Sequence, residues 1–283
     1  MKKISLFLVL ALSLLLALTA CGTSSDDKKS GDEAKGKEEK NTLVVGASNV
    51  PHAEILEQAK PLLEKKGIEL DIQKYNDYVI PNKALEEKSL DANYFQHIPY
   101  LEQQIKDNGY DFVNAGGIHI EPIGVYSKKY KKLSDLPEGA TVIMSSSVAD
   151  HGRVLSLLEK EGLIKLKDGI DKTAATQKDI VENSKKLKFK TDISPELLPQ
   201  VFNNGEGDIV VINSNFAIDA GLNPLKDSIA IEGSDSPYVN IVAVRKGDEN
   251  KENIKALVEV LHSKEIQDFI TKEYKGAIVP VNE

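Results

Sequence analysis

The order strand, helix, strand, helix, strand occurs twice in this chain, about a hundred residues apart. Each copy closes on an Asp (Asp91 or Asp208), an apolar strand, and then an Asn with an aromatic residue. In the first copy the apolar run Leu43 to Val45 reaches Gly46 and Ser48. Ile55, Leu56, Ala59, Leu62 and Leu63 then share one face of a helix with Pro51 in its first turn and Gly67 as its stop, and Ile68, Leu70 and Ile72 alternate as a strand. "PNKALEEKS" supplies a short helix and "LDANYF" a third strand. The second copy begins with the strand "ATVIMS" and the helix "VADHGRVLSLLEKEG", which turns Val154, Leu157 and Leu158 inward and is closed by Gly162. It continues through the alternating Leu187, Phe189, Thr191 and Ile193, a short helix interrupted by Pro199, and the buried strand "DIVVIN".

Two α/β lobes follow from two such copies. "GGIHIEPIGVYS" leads out of the first lobe and "SPYVNIVAVRKG" leads back. Ile254, Leu257, Val258 and Leu261, then Ile266, Phe269 and Ile270, predict two helices that cover the first lobe. The expected boundaries are 42–120 and 239–283 for lobe 1, and 121–238 for lobe 2.

Ahead of the lobes, Met1-Lys2-Lys3 is a short positive start. Ile4 to Ala17 is an apolar stretch interrupted by Ser5 and Ser13, short of the roughly 20 residues of a membrane-spanning helix. Leu18-Thr19-Ala20-Cys21 resembles the lipobox of bacterial lipoproteins and ends in the only cysteine of the chain. Residues 1–20 then read as a lipoprotein signal peptide, Cys21 as the lipidation site and 21–41 as a lipidated flexible tether, spanning roughly 25 Å root-mean-square. From Gly22 to Asn41 the only apolar side chain is Ala34. With 36 Lys and Arg against 44 Asp and Glu, the net charge of −8 argues against a nucleic-acid partner and against direct docking on anionic lipid. The expected location is the cell membrane, outside the cytoplasm, with contact made through the lipid anchor.

Catalytic patterns fail: the sequence has no G-x-S-x-G, H-E-x-x-H, Walker loop or G-x-G-x-x-G. Ser, Asp and His do occur in "MSSSVADHGR", but adjacent positions rarely give triad geometry. Five histidines are scattered singly, without the paired spacing of zinc sites. A metal site would have to be assembled in space from His52, His97 and His119, which all come near strand ends. No catalytic residue, cofactor or metal is expected.

Ligands of open α/β sheets bind outside the carboxyl ends of strands. "DANYFQH", Ser48-Asn49, Ser145 to Ser147 and Asn213 all fall there. Two fates are open to each residue. Tyr94, Phe95 and Tyr100 suit a core as well as a cleft, and His97, just before Ile98-Pro99, suits a helix cap. Arg153 is either a solvated helix residue or, in the first turns of a helix whose amino end points at the cleft, a carboxylate anchor. Asn213 and Asn240 either satisfy nearby backbone or hold a ligand between the lobes.

"PHAEIL", "NDYVIPNKAL", "DANYFQHIPYLEQ", "IHIEPIGVYS", "GRVLSLLEKEGLI" and "SPYVNIVAVRKG" together resemble the lipoprotein substrate-binding subunits of bacterial methionine ABC importers, in order from the lipobox to the carboxyl terminus. The resemblance implies a two-lobed type II periplasmic-binding-protein fold whose cleft closes over one amino acid. It also implies delivery of that ligand to an ABC importer permease with its ATPase subunit. Tyr78, Phe95, His97 and Tyr100 would surround the thioether, a soft group that aromatic faces suit. Arg153 would bind the α-carboxylate, and Asn213 and Asn240 would hold the amino and carboxylate groups. Where many relatives carry an Asn-rich or Pro-containing turn before the Gly-Arg pair, this chain has Ser145 to His151. L-Methionine, its D-enantiomer, its sulfoxides and a methionyl dipeptide therefore stand unseparated. The competing reading is a metal-ion-binding lipoprotein of similar two-lobed design.

Overall fold

The computed structural model describes residues 41–281. The signal peptide, Cys21 and nearly all of the tether lie outside the described residues. The first sheet takes β1 (Asn41–Ser48), β2 (Ile68–Tyr75), β3 (Ala92–His97) and β4 (Phe112–Ile120) from the front of the chain. The second is built from β5 (Gly124–Tyr126), β6 (Thr141–Ser145), β9 (Lys188–Ile193), β10 (Ile209–Ile212) and β11 (Ala230–Ile231), with a small hairpin, β7 (Lys165–Leu166) and β8 (Ile180–Glu182), set apart from it. The chain then returns to the first sheet with β12 (Val239–Arg245) and β13 (Val279–Pro280). The orders are β13-β4-β12-β3-β1-β2 and β11-β5-β10-β6-β9.

The repetition read in the sequence is a repetition in space. β1 lies between β2 and β3, parallel to both, and β6 lies likewise between β9 and β10. In each lobe an antiparallel strand then adds beyond the third strand of the unit, β12 on β3 and β5 on β10.

Helices α1 (Glu54–Glu64), α8 (Glu252–Leu261) and α9 (Lys264–Tyr274) cover one face of the first sheet. Leu56, Leu63, Leu257, Leu261 and Ile270 from these helices share a core with Leu43, Val45, Val242 and Val244. Ile241 and Ala243, alternating with that pair, enter a separate core with Leu85 of α2 (Ile80–Glu86) and Leu101 of α3 (Ile98–Asn108). In the second lobe α4 (His151–Lys160) buries Val154, Leu157 and Leu158 against Val142 and Met144. On another core of that lobe lie α5 (Leu198–Asn203) and α6 (Ser214–Asp219), with the single turn α7 (Pro224–Asp227) following.

Two local expectations are corrected. Pro51 precedes α1, in the turn Asn49–Ala53, because Val50 is extended and interrupts any helical run there. Pro199 stands at the start of α5 and does not interrupt a helix, since a proline in the first turn forfeits no intrahelical hydrogen bond.

Asp91 and Asp208 do the same work in the two lobes. The Asp91 N–H donates to the Val44 carbonyl at 2.8 Å, while its Oδ2 accepts from the Val44 N–H at 2.9 Å. The Asp208 N–H donates to the Thr141 carbonyl at 3.0 Å, and its Oδ2 accepts from the Thr141 N–H at 2.8 Å. A carboxylate thus accepts the first strand's N–H at the start of each central parallel ladder, where the carbonyls just before it, of Leu90 and Gly207, accept from Arg245 and Lys129. Asp91→Ala should cost about 1.5–3 kcal/mol, the range for hydrogen bonds to charged groups. Urea unfolding of the wild type and variant measures this, and an unchanged midpoint would show that the ladder end does not need the carboxylate.

Candidate ligand-binding cleft

The cleft is shaped by two β-bulges. Along β12, Asn240 pairs with His97 and Ile241 with Gln96, but Val242 pairs with Tyr94, so Phe95 is the extra residue of β3. On the other side Asn240 pairs with His119 and Ile241 with Gly117, so Ile118 is the extra residue of β4. A bulge re-aims the side chains around it. Tyr94 enters the core under α1, whereas Phe95 joins Tyr100 and Ala149 at the cleft. Asn240 is left between two histidines.

All seven residues expected at the ligand line one cavity: Tyr78, Phe95, His97, Tyr100, Arg153, Asn213 and Asn240. One end is aromatic. The Tyr78 ring lies 5.9 Å from Phe95, 5.8 Å from Tyr100 and 4.9 Å from Phe216 across the cleft. The Tyr78 hydroxyl donates to Asn215 Oδ1 at 2.7 Å, and the Tyr100 hydroxyl donates to the Tyr78 carbonyl at 2.9 Å. Burial raises both phenols above their ordinary values, so they remain donors.

His97 fills both roles open to it. Its Nδ1 accepts from the Tyr100 N–H at 3.1 Å and caps α3. The ring proton therefore sits on Nε2, which donates to Asp150 Oδ1 at 3.1 Å in the opposite lobe. Asn213 Nδ2 donates to the other oxygen, Asp150 Oδ2, at 3.1 Å. Burial alone would raise the Asp150 carboxyl, but the bond from His97, the Arg153 guanidinium and the Asn213 bond hold it below the usual aspartate value.

Arg153 marks the polar end. It is positioned by Gly152, where a Cβ would stand 2.3 Å from the Lys172 carbonyl oxygen, so only glycine lets the first turn of α4 approach this closely. The guanidinium is buried with its Cζ 4.5 Å from the Tyr238 ring centroid. Nε donates to Glu232 Oε2 at 3.1 Å, Nη2 donates to the same oxygen and, at 2.7 Å, to the Glu121 carbonyl. Nη1 is 3.8 Å from Asp150 Oδ1. Desolvation opposes the charge, but Glu232 and Asp150 outweigh it and hold the guanidinium above its ordinary value. Two edges of Arg153 are thus committed within the protein, which the sequence did not foretell.

Glu121 is a cleft residue that sequence reading passed over. Its signal was an acid between His119 and Pro122 in the otherwise apolar crossover "IHIEPIGV". Its Oε1 accepts from His119 Nε2 at 2.8 Å and lies 3.2 Å from His52 Nε2, which is also 3.0 Å from Asn240 Oδ1. His119 Nδ1 is hydrogen-bonded to the Tyr94 hydroxyl. Of the three histidines considered for a metal, two converge here and His97 does not. Zinc ligands held at about 2.0–2.1 Å in a tetrahedron stand roughly 3.4 Å apart. At 2.8 Å the His119 to Glu121 contact is a hydrogen bond, so the trio is a carboxylate held by the His119 ring, while the hydrogen bond of His52 Nε2 goes to Asn240. Burial lowers His52 to about 4 and His119 to about 3, and raises Glu121. In the serine-rich turn, His151 Nε2 bonds the Ser145 carbonyl while Asp150 faces His97, so those side chains diverge.

Comparison with known proteins places these features in a family. The family model described as NlpA lipoprotein matches residues 43–282. The methionine-binding lipoprotein MetQ of Bacillus subtilis (strain 168) is 51% identical over 287 residues, covering 100% of both chains. A solved lipoprotein of Enterococcus faecalis V583, described as a pheromone cOB1 precursor of the YaeC family, aligns with a TM-score of 0.83 at 60% identity over 85% of this chain and 100% of its own. A nutrient-binding protein from Burkholderia cenocepacia, solved bound to methionine, aligns with a TM-score of 0.80 at 43% identity over 85% of this chain and 100% of its own.

The two buried histidines set a pH dependence. Their folded values lie below the ordinary 6.5, so the unfolded chain binds protons that the native state refuses. The stability they contribute is complete above about 6.5 and is lost as pH falls, to about 4 for His52 and about 3 for His119. Glu121, raised by burial, works in the opposite direction, but it is one group against two. At pH 5 each histidine should cost about 2 kcal/mol relative to neutral pH. His119→Gln should remove about half of the loss, read from urea unfolding at both pH values. An unaltered pH slope in that variant would exclude His119 as its source.

Proposed function

The chain belongs to the NlpA lipoprotein family, and from that premise we propose that it is a non-catalytic substrate-binding lipoprotein capturing methionine or a close derivative for an ABC importer. The observation that carries this reading is the single cavity in which an aromatic end meets a polar end bearing Arg153. An amino acid with a soft, unbranched apolar side chain needs both. The methionine bound to the Burkholderia cenocepacia protein supports the same choice of ligand.

In this reading the thioether lies among Tyr78, Phe95, His97 and Tyr100. The α-carboxylate meets the Nη1 edge of Arg153, the edge with no hydrogen bond closer than the 3.8 Å contact to Asp150. Asn213 and Asn240 orient the ligand's amino and carboxylate groups. Lobe 1 comprises 42–120 and 239–283 and lobe 2 comprises 121–238, closing on the ligand from either side. Cys21 carries the lipid and 21–41 is the tether that holds the lobes at the outer face of the cell membrane, where the permease and its ATPase subunit receive the ligand. No helix among the described residues is long and apolar enough to cross a membrane.

Methionine should raise the melting temperature of protein that has been unfolded, dialysed and refolded to strip retained ligand. A ligand that binds only the folded state adds about 2.7 kcal/mol at a hundredfold excess over Kd, several degrees for a chain of this size. A shift with zinc or manganese and none with methionine would hand the function to the metal reading. For the anchor, Cys21→Ala should abolish incorporation of labelled fatty acid in cells. Continued labelling of that variant would remove Cys21 from the assignment.

A further inference from the structure

The net charge of −8 hides an uneven distribution. β10 runs to the cleft, where Asn213 follows it, and β6 lies parallel to β10, so the amino ends of both strands face the far side of lobe 2. β5 is antiparallel to β10 and pairs Tyr126 with Val210, which delivers the following segment, 127–140, to that same end. Lys188 pairs with Thr141, so 183–188 arrives there too, beside 203–208. These three loops carry seven lysines against four acids, Asp135, Glu138, Glu206 and Asp208.

Hydrogen bonds fix the loops into one surface. Ser127 Oγ accepts from the Lys129 and Tyr130 N–H groups at 3.1 and 3.0 Å and donates to the Asp208 carbonyl at 2.7 Å. Lys185 Nζ donates at 2.6 Å to both the Ser134 and Leu136 carbonyls, tying the second loop to the first. Two lysines spend their charge within the face, Lys129 at 3.5 Å from Asp208 and Lys186 on Glu138. Lys128, Lys131, Lys132 and Lys188 are exposed and have no ion pair among the described residues. Of the four acids, Asp135 and Glu206 are not held by a lysine there, so the uncommitted charge of the face is positive. Half-buried Tyr130 stands between Lys128-Lys129 and Lys131-Lys132, a mixture of ring and cation that suits a membrane–water interface. A preordered cluster of free ammonium groups loses little entropy on meeting an array of phosphates.

We propose that this end of lobe 2 is a docking surface for the anionic phospholipid headgroups of the membrane that holds the Cys21 anchor. The inference rests on the anchoring reading above and adds a second, electrostatic attachment to it. Each lysine brought to an anionic bilayer strengthens attachment by about fivefold. Four hold only weakly from free solution, but a tether keeps the bilayer at high local concentration, and weak contact then suffices. The tether joins lobe 1 at Asn41, the start of β1, on the side of that lobe away from the cleft. Attachment through the tether at one end and through the lysines at the other lays the two lobes along the membrane, with the cleft between the attachments.

The test uses the full lipidated chain reconstituted in vesicles. With the Cys21 thiol carrying the lipid, Ser184→Cys places one dye on the exposed lysine face, and energy transfer to a lipid-borne acceptor reports how close that face lies to the bilayer. Transfer should be strong in vesicles rich in phosphatidylglycerol and weak in phosphatidylcholine alone. It should fall to the phosphatidylcholine level in 1 M salt, where the screening length drops from about 10 Å to about 3 Å. Changing Lys128, Lys131, Lys132 and Lys188 together to Glu should remove it, with a melting curve confirming that the variant is folded. The same change at the exposed Lys65, Lys255, Lys264 and Lys272 of lobe 1 alters net charge equally and should leave the transfer intact. Equal transfer in the two kinds of vesicle overturns the proposal, and this comparison does not depend on the multiply substituted variants. So does an equal loss in the two variants, which would make net charge the cause. If the protein does not float with vesicles of either kind, the anchor itself is wrong and the docking surface falls with it, an outcome distinct from flotation without transfer.

Discussion

The buried guanidinium of Arg153 is the interaction on which the cleft depends. It projects from the first turn of α4, takes Glu232 from the start of the returning crossover and the Glu121 carbonyl from the outgoing one, and lies against Tyr238. Glu232 in turn accepts from the Ile123 N–H and from Ser236 Oγ, so both crossovers are pinned at one charge. Removing that charge would leave Glu232 and Asp150 uncompensated in low dielectric, a larger penalty than losing one surface ion pair. The residue that receives a ligand's carboxylate in the proposed function is therefore also the one that organises the segments joining the lobes.

Strand irregularity does the rest. Had β3 run as a regular strand, Tyr94 and Gln96 would share a face opposite Phe95 throughout. The bulge at Phe95 breaks that alternation and lets one short strand serve three purposes. Tyr94 fills the core, Phe95 faces the cleft, and Gln96 joins Asn82 and Asn93 in a buried amide network, with Asn82 Nδ2 donating to Gln96 Oε1 at 3.1 Å and Gln96 Nε2 donating to Asn93 Oδ1 at 2.8 Å. The second bulge, in β4, sets His119 beside Asn240 and brings Glu121 to the cavity wall. Polar side chains this deep are tolerated because nearly all are paired.

Much of this was legible in the amino-acid order. Apolar periodicity located the central strands and the covering helices, and the paired Asp residues at 91 and 208 announced the repeat that the ladders then displayed. Local signals of this kind survive because each depends on residues within one or two turns of each other. The seven residues expected at the ligand do share a cavity, since strand ends and helix starts in such a fold converge whatever the loop details.

What the order of residues could not determine was direction and partnership. Nothing local distinguishes Tyr94 from Phe95, because the bulge that separates them is a register mismatch with β12, some 145 residues further along the chain. Nothing local says that Arg153 spends two of its edges on Glu232 and a carbonyl, or that Glu121 is faced by neutral histidines. Charge compensation in a buried site is a sum over elements brought together from the whole chain. By itself the sequence determined the lobes, the strand ends and the kinds of side chain that meet there. Tertiary structure alone decided which charges and polar atoms were already satisfied, because desolvation and hydrogen bonding act on neighbours in space.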